Sequence, residues 1–169
     1  QSKRFKEYDF SIENKISLEE VFSNHTFDIV INLAAQAGVR FSMEKPENYV
    51  NTNILGFLNI LEACKKAHIS SLIYASSSSV YGGNTKIPFS EDDDISSPKN
   101  MYAVTKITNE LQAKVYNDLY GIKSIGLRFF TVYGPWGRPD MAPMKFMKSL
   151  YDNKKIQIFN NGLHKRDFT

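Results

Sequence analysis

Residues 100–130, with the sequence NMYAVTKITNELQAKVYNDLYGIKSIGLRFF, decide the fold class because a helical pattern passes directly into a strand pattern. Up to residue 120, apolar residues recur three and four positions apart, which predicts an amphipathic helix. This apolar stripe consists of Met101, Val104, Ile107, Leu111, Val115 and Leu119. Gly121 is typical of a helix end, and residues 124–130 form the short apolar run expected of a buried strand.

The same alternation runs through the residues that precede this stretch. Residues 27–33 and 72–75 are further short apolar runs, and residues 46–67 form a second helical stretch that is apolar almost all round. Residues 17–20, SLEE, predict a helix start with a capping box. Short strands that alternate with long helices indicate parallel strands joined by crossover helices. We therefore predict an α/β fold, a doubly wound parallel sheet with apolar strands covered on both faces.

The composition changes after residue 130. Residues 131–141 hold two Pro and two Gly and predict a long loop, followed by a helix and by a short strand at residues 155–159. We expect residues 1–130 to form the sheet domain and residues 131–169 to begin a smaller domain that covers the substrate. The acidic run at residues 91–94 lies beside serines and a proline, which favours a solvated loop over a metal site.

Composition excludes several function classes. The net charge is only +3 and the lysines are scattered, so nucleic-acid binding is not indicated. No apolar run approaches the ~18 residues of a membrane span, so we expect no membrane association. Three distant histidines, His25, His68 and His164, show no ligand spacing, so we expect no metal. A single cysteine, Cys64, suits a reducing compartment, and we predict a cytoplasmic protein. Because the sequence starts on Gln1 and stops abruptly, we expect a piece of a longer protein.

Small and hydroxyl-bearing residues follow all three predicted strands. They are AAQAG at residues 34–38, SSSSVYG at residues 76–82 and TVYG at residues 131–134. Ligands of open parallel sheets bind beyond the carboxyl ends of the strands. Small residues let a planar cofactor approach the backbone, and hydroxyls can donate hydrogen bonds to a reacting substrate oxygen. We call the residues that directly follow a strand its exit. Three exits of this composition together predict one shared site.

The long helix supplies a reactive pair, Tyr102 and Lys106. At positions i and i+4 they share a helix face, and a nearby ammonium lowers the pKa of a phenol from its usual value of about 10. A phenolate tuned in this way can take a proton from a substrate hydroxyl. Tyr151 and Lys155 have the same spacing, but only Tyr102 has a hydroxyl 25 positions earlier at a strand exit, namely Ser77.

These motifs, in this order, resemble the extended short-chain dehydrogenase/reductase family of NAD-dependent epimerases and dehydratases. The matching segments are residues 32–35, 76–82, 102–106, 128–135 and 166–168, so the resemblance spans nearly the whole sequence. It implies a Rossmann-like NAD-binding domain and a UDP-sugar substrate. The family's first strand and its Gly-rich turn have no counterpart here. We therefore expect the 169 residues alone to bind cofactor poorly and to be nearly inactive.

The resemblance also implies a role for each matching residue. The catalytic residues would be Ser77 as the hydroxyl, Tyr102 as the base and Lys106 as the group that binds the ribose and tunes the phenol. The cofactor-binding residues would be Asp9, Phe10, Leu33, Ala34, Ala35 and Asn53, together with Tyr102 and Lys106. The substrate-binding residues would be Ser77, Ser78, Ser79, Thr131, Phe159 near the uracil and Arg166 at the diphosphate. Family members usually dimerise through two helices, which here resemble residues 46–67 and 100–120.

Within the family, residues 34–40 and 131–141 resemble uronate 4-epimerases, which convert UDP-glucuronate to UDP-galacturonate for polysaccharide synthesis. A uronate carries a carboxylate, which a guanidinium binds bidentately, so Arg138 and, second to it, Arg40 are candidate contacts. Ser78 and Ser79 stand where the related dehydratases have an acidic pair, which disfavours dehydration. The alternatives are a UDP-glucose or UDP-N-acetylglucosamine 4-epimerase, a UDP-glucuronate decarboxylase and a non-catalytic dinucleotide-sensing domain.

Overall fold

The computed structural model describes residues 5–163, 165 and 167–169. Its sheet has three parallel strands in the order β1 (Val30–Asn32), β2 (Ser71–Ala75) and β3 (Lys123–Leu127). Ile31 pairs with Ile73, and Ile73 pairs with Ile125, so the three strands end at one common edge. The predicted parallel sheet is therefore confirmed, although its first strand is shorter than the apolar run at residues 27–33.

Six α-helices and three other helical segments accompany the strands in the described residues. The α-helices are α1 (Lys15–Asn24), α2 (Val39–Glu44), α3 (Pro46–Tyr49), α4 (Gly56–Lys66), α5 (Met101–Tyr120) and α6 (Ala142–Tyr151). A π-helix (Val50–Leu55) joins α3 to α4, and two 3₁₀ turns span Ser78–Tyr81 and Asn160–Gly162. None of the helices in the described residues is both long and apolar enough to cross a membrane.

Two helix starts show how side chains set the boundaries. The predicted capping box at residues 17–20 is wrong, because Asn14 comes first and its Oδ1 accepts a hydrogen bond from Ser17 N at 3.1 Å. Asn and Ser cap helices about equally well, so the earlier residue starts α1. Asn100 caps α5 in the same way, accepting from Ala103 N at 2.8 Å. The predicted stop at Gly121 is confirmed, since this residue has a φ of 70°.

The stretch predicted as one helix over residues 46–67 consists of three consecutive segments, α3, the π-helix and α4. π-Helical turns are rare and are frequently found at functional sites. Here the carbonyl of Asn53 accepts a hydrogen bond from Asn109 Nδ2 of α5 at 2.7 Å. The side chain of Gln112 approaches the carbonyl of Ile54 at 3.4 Å. The wider turn is therefore held by side chains of α5.

The hydrophobic core lies on one face of the sheet. It is built by Leu72 and Tyr74 of β2, by Leu18 of α1, by Ala113 of α5 and by one side of α4, which contributes Phe57, Ile60, Leu61, Ala63 and Cys64. On the other face, Ile31 and Ile125 are exposed and Ile73 is half-buried. This face therefore lacks the cover predicted for it within the described residues. An apolar strand shows that both faces need cover, but not which segment supplies it.

The apolar stripe of α5 does not face this core. Leu111 is 58% exposed and Leu119 is 66% exposed. The buried face of α5 is instead composed of small and polar residues, namely Ala103, Thr105, Lys106, Asn109 and Ala113. The second half of the stripe, with Leu111, Val115 and Leu119, is therefore exposed, whereas Met101, Val104 and Ile107 are half-buried.

The chain forms two compact units, Gln1–Arg128 and Phe129–Thr169. In the second unit, Thr131 pairs in parallel with Phe168, and Thr169 N donates to the Thr131 carbonyl at 3.0 Å. The strand predicted at residues 155–159 is wrong, because the structure places no strand there. A strand needs a hydrogen-bonding neighbour, and this segment pairs with none in the described residues.

Candidate functional site

Lys106 is the most deeply buried charged group among the described residues of the first unit, with only 4% of its surface exposed. Its Nζ donates to the carbonyl of Ala75, the last residue of β2, at 2.7 Å. The same atom lies 5.8 Å from the centroid of the Tyr102 ring. Burial lowers the pKa of Lys106 to about 8, since desolvation disfavours the ammonium. The predicted pair on α5 is thus anchored directly to the end of the central strand.

Ser77 lies two residues beyond Ala75 and caps the 3₁₀ turn Ser78–Tyr81. It is buried, and its Oγ accepts a hydrogen bond from Ser79 N at 3.2 Å. A hydroxyl that accepts in this way still has its own proton to donate. The turn ends at Gly82, where φ is 55° and an added Cβ would stand 2.1 Å from the Ser97 carbonyl oxygen. Glycine is therefore required where the β2 exit meets the loop that returns to α5.

Asn53 connects the loop after β1 to helix α5. Its Oδ1 accepts from Gln36 N at 2.8 Å, and its Nδ2 donates to the Gln36 carbonyl at 3.0 Å and to Thr105 Oγ1 at 3.0 Å. Thr105 in turn donates to the Tyr102 carbonyl at 2.8 Å. These hydrogen bonds of the buried Asn53 side chain are therefore made to other residues of the protein. They fix the loop after β1 with respect to the turn of α5 that carries Tyr102.

Tyr49, at the end of α3, makes a second connection of the same kind. Its hydroxyl approaches the carbonyls of Ala37 and Gly38 at 3.0 and 2.7 Å. Its ring meets the Tyr102 ring edge-on, with centroids 6.2 Å apart and an interplanar angle of 79°. Tyr49 is fully buried, so one side chain supports both the exit loop and the tyrosine predicted to be the base.

The other candidates in the first unit follow β1 or β2 along the chain or lie nearer the amino terminus. Leu33 and Ala34 are exposed directly after β1, and Ala35 is half-buried. Ser78 and Ser79 are half-buried in the 3₁₀ turn, and Arg40 is exposed on α2. Asp9 is exposed, whereas Phe10 packs against the hydrophobic core. The cofactor and substrate roles of these residues stay predictions.

The second unit holds the remaining candidates. Thr131 is half-buried beside Phe168, and Phe159 is exposed at the start of the last 3₁₀ turn. Arg138 forms a bidentate pair with Asp140, with Nε–Oδ1 and Nη2–Oδ2 distances of 3.0 and 2.5 Å. Arg166 lies outside the described residues. Tyr151 is the last residue of α6 and Lys155 follows that helix, so this second pair does not share a helix face.

Comparison with known families gives the observation that decides the classification. A family model described as the NAD dependent epimerase/dehydratase family matches residues 2–169. The chain belongs to this family. The family predicted from the ordered motifs is thereby confirmed, and the predicted cofactor is the one that the family description names.

Individual members of the NAD dependent epimerase/dehydratase family are similar to this chain over nearly all of its length. Protein CapI of Staphylococcus aureus is 54% identical over 158 residues, covering 94% of this chain and 47% of that protein. UDP-glucuronate 4-epimerase 4 of Arabidopsis thaliana is 51% identical, covering 95% and 38%. The crystal structure of the UDP-glucuronic acid 4-epimerase of Bacillus cereus, in complex with UDP-glucuronic acid and NAD, superposes with a TM-score of 0.88 at 37% identity, covering 99% and 52%. The chain spans about half the length of the relatives it matches.

Sequence reasoning missed the residues that hold the predicted ones in place. These are Tyr49, Ser76, Thr105, Asn109 and Glu110, all of which bond to or pack on the exits and α5. One signal was present in the sequence for Glu110, which follows Lys106 by four positions and so shares its helix face. The partners of the others come from distant segments, which spacing along one element does not reveal.

Proposed function

We propose that this chain is the central part of an NAD-dependent 4-epimerase that converts UDP-glucuronate to UDP-galacturonate. The observation that supports this function is the buried Lys106, bonded to the Ala75 carbonyl at the β2 exit and placed beside Tyr102. Ser77 follows at the same exit with a proton to donate. Base, tuning cation and hydrogen-bond donor are the groups that oxidation of a sugar hydroxyl requires.

The donor chemistry of the site fits a dinucleotide. An ammonium has three protons, and one of those of Lys106 points to Ala75, which leaves donors for ribose hydroxyls. Leu33 and Ala34 are exposed directly after β1, where the cofactor would approach. NAD, when bound, would accept the hydride from C4 of the sugar and return it to the other face. We expect NAD to be held by Lys106, Leu33, Ala34 and Ala35.

The protein groups handle the proton. Tyr102 takes the proton of the 4-hydroxyl as a phenolate, which the ammonium of Lys106 favours. Ser77 donates a hydrogen bond to the sugar oxygen as this becomes a ketone. The 4-keto sugar then turns over in the pocket, and Tyr102 returns the proton as the hydride comes back, which inverts C4. Ser78 and Ser79 supply no acid at neutral pH, so water is not eliminated.

The uronate preference rests on Arg138, Thr131 and the likeness to named UDP-glucuronate 4-epimerases. Arg138 presents the planar donor pair that recognises a carboxylate. Arg138 already binds both carboxylate oxygens of Asp140, which supports the proposal that its guanidinium can bind a carboxylate. The carboxylate of the substrate would take the place of Asp140 or share the guanidinium with it.

The same pair favours a second candidate function, 4-epimerisation of a neutral UDP-hexose. If Asp140 stays on the guanidinium, then Arg138 is a structural residue and the pocket needs no sugar carboxylate. Replacing Arg138 by alanine separates the two candidates. The substitution should strongly lower kcat/KM for UDP-glucuronate in a uronate enzyme, whereas a neutral-sugar enzyme should keep its activity.

We also propose that the full-length protein is a cytoplasmic homodimer that pairs through α5 and the helical stretch at residues 46–67. The outward stripe of α5, with Leu111, Val115 and Leu119 exposed, supports this arrangement. Replacement of Leu111 and Leu119 by glutamate is expected to give a monomer in sedimentation experiments. A dimer that survives both charges would overturn the assignment of this interface.

The activity is tested in the full-length protein that contains this chain. The purified protein is incubated with UDP-glucuronate and NAD, and the products are separated by chromatography. UDP-galacturonate without net NADH is the expected result. A UDP-pentose would replace the proposal by the decarboxylase, and conversion of UDP-glucose or UDP-N-acetylglucosamine alone would remove the uronate from it. Tight NAD binding without turnover of any UDP-sugar would favour a sensing domain.

A further inference from the structure

We propose that Glu110 and Arg128 form a positioning pair that fixes the serine exit of β2 against the catalytic turn of α5. The inference rests on the proposed function, because it assigns these residues to the alignment of Ser77 with Tyr102 and Lys106. Neither residue is proposed to touch substrate or cofactor.

The geometry of the pair is bidentate. Arg128 Nε donates to Glu110 Oε1 at 3.0 Å, and Arg128 Nη2 donates to Glu110 Oε2 at 2.9 Å. Each side chain is only 17% exposed, so both charges are largely removed from water. The hydrogen bonds in such bidentate pairs are short and directional. Removing either partner strongly destabilises the protein, because the other charge is left buried without a counter-ion. The hydrogen bonds to Glu110 are the main cause of the raised pKa of Arg128, so its charge is permanent.

Glu110 also holds the residue that precedes the catalytic serine. The hydroxyl of Ser76 donates to Glu110 Oε1 at 2.5 Å, and Ser76 is buried. Glu110 lies one helical turn after Lys106, whose Nζ bonds to Ala75. Two consecutive residues of the β2 exit, Ala75 and Ser76, are therefore tied to two consecutive turns of α5. Ser77 comes next along the chain, so these two bonds set its position.

Arg128 extends the same connection to the loop that follows the serines. Its guanidinium lies 5.0 Å from the centroid of the Tyr81 ring, which stacks on Phe89 at 4.6 Å. Its Nη1 donates to the Glu91 carbonyl at 3.2 Å. Tyr81 ends the 3₁₀ turn that Ser77 begins. The pair therefore contacts the serine exit at both ends, at Ser76 and at Tyr81.

The test uses Glu110→Gln in the full-length protein, which keeps the shape and the acceptor for Ser76 but removes the charge. Misplacement of a reacting group by about 1 Å costs roughly 100-fold in rate, so we expect kcat to fall roughly 10- to 100-fold with KM little changed. Ser76→Ala breaks only the serine bond and is expected to lower kcat roughly 2- to 10-fold. Because this change is mild, it keeps the test valid if Glu110→Gln folds poorly.

The control is Glu19→Gln, which makes the same chemical change in the exposed Lys66–Glu19 pair of the same unit. Amide hydrogen exchange over residues 76–81 is measured in parallel, since it needs no turnover. Faster exchange there in the Glu110 or Ser76 variant than in the control, together with the kcat loss, supports the positioning role. If the exchange rates at residues 76–81 and kcat are the same in these variants as in Glu19→Gln, the positioning role is overturned. If the wild type turns over no UDP-sugar, the proposed function fails, while the exchange comparison still decides whether the pair fixes this segment.

Discussion

The hydroxyl of Tyr49 offers a test of how the β1 exit is held for the cofactor. Tyr49→Phe deletes one oxygen and keeps the buried ring against Tyr102. The Tyr49 hydroxyl lies within hydrogen-bond distance of the Ala37 and Gly38 carbonyls, and its removal takes this donor away from both. A lost hydrogen bond costs about 1 kcal/mol, and an unsatisfied buried acceptor costs about 1–3 kcal/mol. Because Ala37 is exposed and Gly38 half-buried, water can replace part of the bonding, so we expect a loss of about 1–2 kcal/mol.

The same free energy is expected to reappear in cofactor affinity. When the exit loop is no longer held by Tyr49, binding of NAD must order it, and each 1.4 kcal/mol corresponds to about tenfold in Kd. The NAD affinity of Tyr49→Phe should therefore fall by roughly 5- to 30-fold. Both are measured on the full-length protein: denaturant unfolding gives the change in stability, and titration of the cofactor-free protein with NAD gives the change in affinity.

Tyr116→Phe is the matched control for this prediction. Tyr116 is a half-buried tyrosine of α5 whose hydroxyl donates to Glu62 at 2.6 Å, away from the strand exits. Its loss should lower stability and leave NAD affinity unchanged. Equal weakening of NAD binding in both variants, or unchanged binding in Tyr49→Phe, would show that the Tyr49 hydroxyl does not organise the exit loop.

Three further predictions concern the residues proposed to act in catalysis and in substrate recognition. Burial lowers the pKa of Lys106 from 10.5 to about 8, so the unfolded state binds more protons between these values and stability contributed by Lys106 rises with pH across that window. At pH 7 the buried ammonium lowers the free energy of unfolding by about 3 kcal/mol. Lys106→Met should therefore flatten the rise of stability with pH, as measured by denaturant unfolding from about pH 7 to 10.5. An unchanged slope would mean that other groups cause the rise. Ser77→Ala should lower kcat about 100- to 1,000-fold with KM retained, since it removes one donor to the reacting oxygen, and a loss confined to KM would contradict this role. Arg138→Ala should lower kcat/KM for UDP-glucuronate roughly 10- to 100-fold and Arg40→Ala less, and equal kinetics with the wild type would remove Arg138 from substrate recognition.

Local features of the site could be read from the sequence because each depends on neighbours along the chain. Tyr102 and Lys106 share a helix face through their spacing, and Gly121 ends that helix through its backbone freedom. The parallel sheet follows from the alternation of short apolar runs with long helices.

Features that depend on partners from distant segments could not be read in this way. The apolar stripe of α5 predicts an amphipathic helix, but nothing in the stripe shows that Leu111 faces outward and Asn109 inward. Glu110 becomes a positioning residue only because Arg128 and Ser76, from two other segments, converge on its carboxylate. Residues 155–159 have the composition of a strand but pair with no strand in the described part of the chain. The family resemblance implies a place at the cofactor for Asn53, whereas its observed bonds support the exit loop.

The central claim is that the site removes hydride from C4 of a UDP-sugar and returns it to the other face while Tyr102 holds the proton. The most direct measurement uses UDP-glucuronate that carries deuterium at C4, incubated with the full-length protein in ordinary water and followed by NMR of the product. Our account predicts UDP-galacturonate with the deuterium retained at C4, because hydride passes through bound NAD without exchange with solvent. Product in which solvent hydrogen replaces the deuterium at C4 would contradict it.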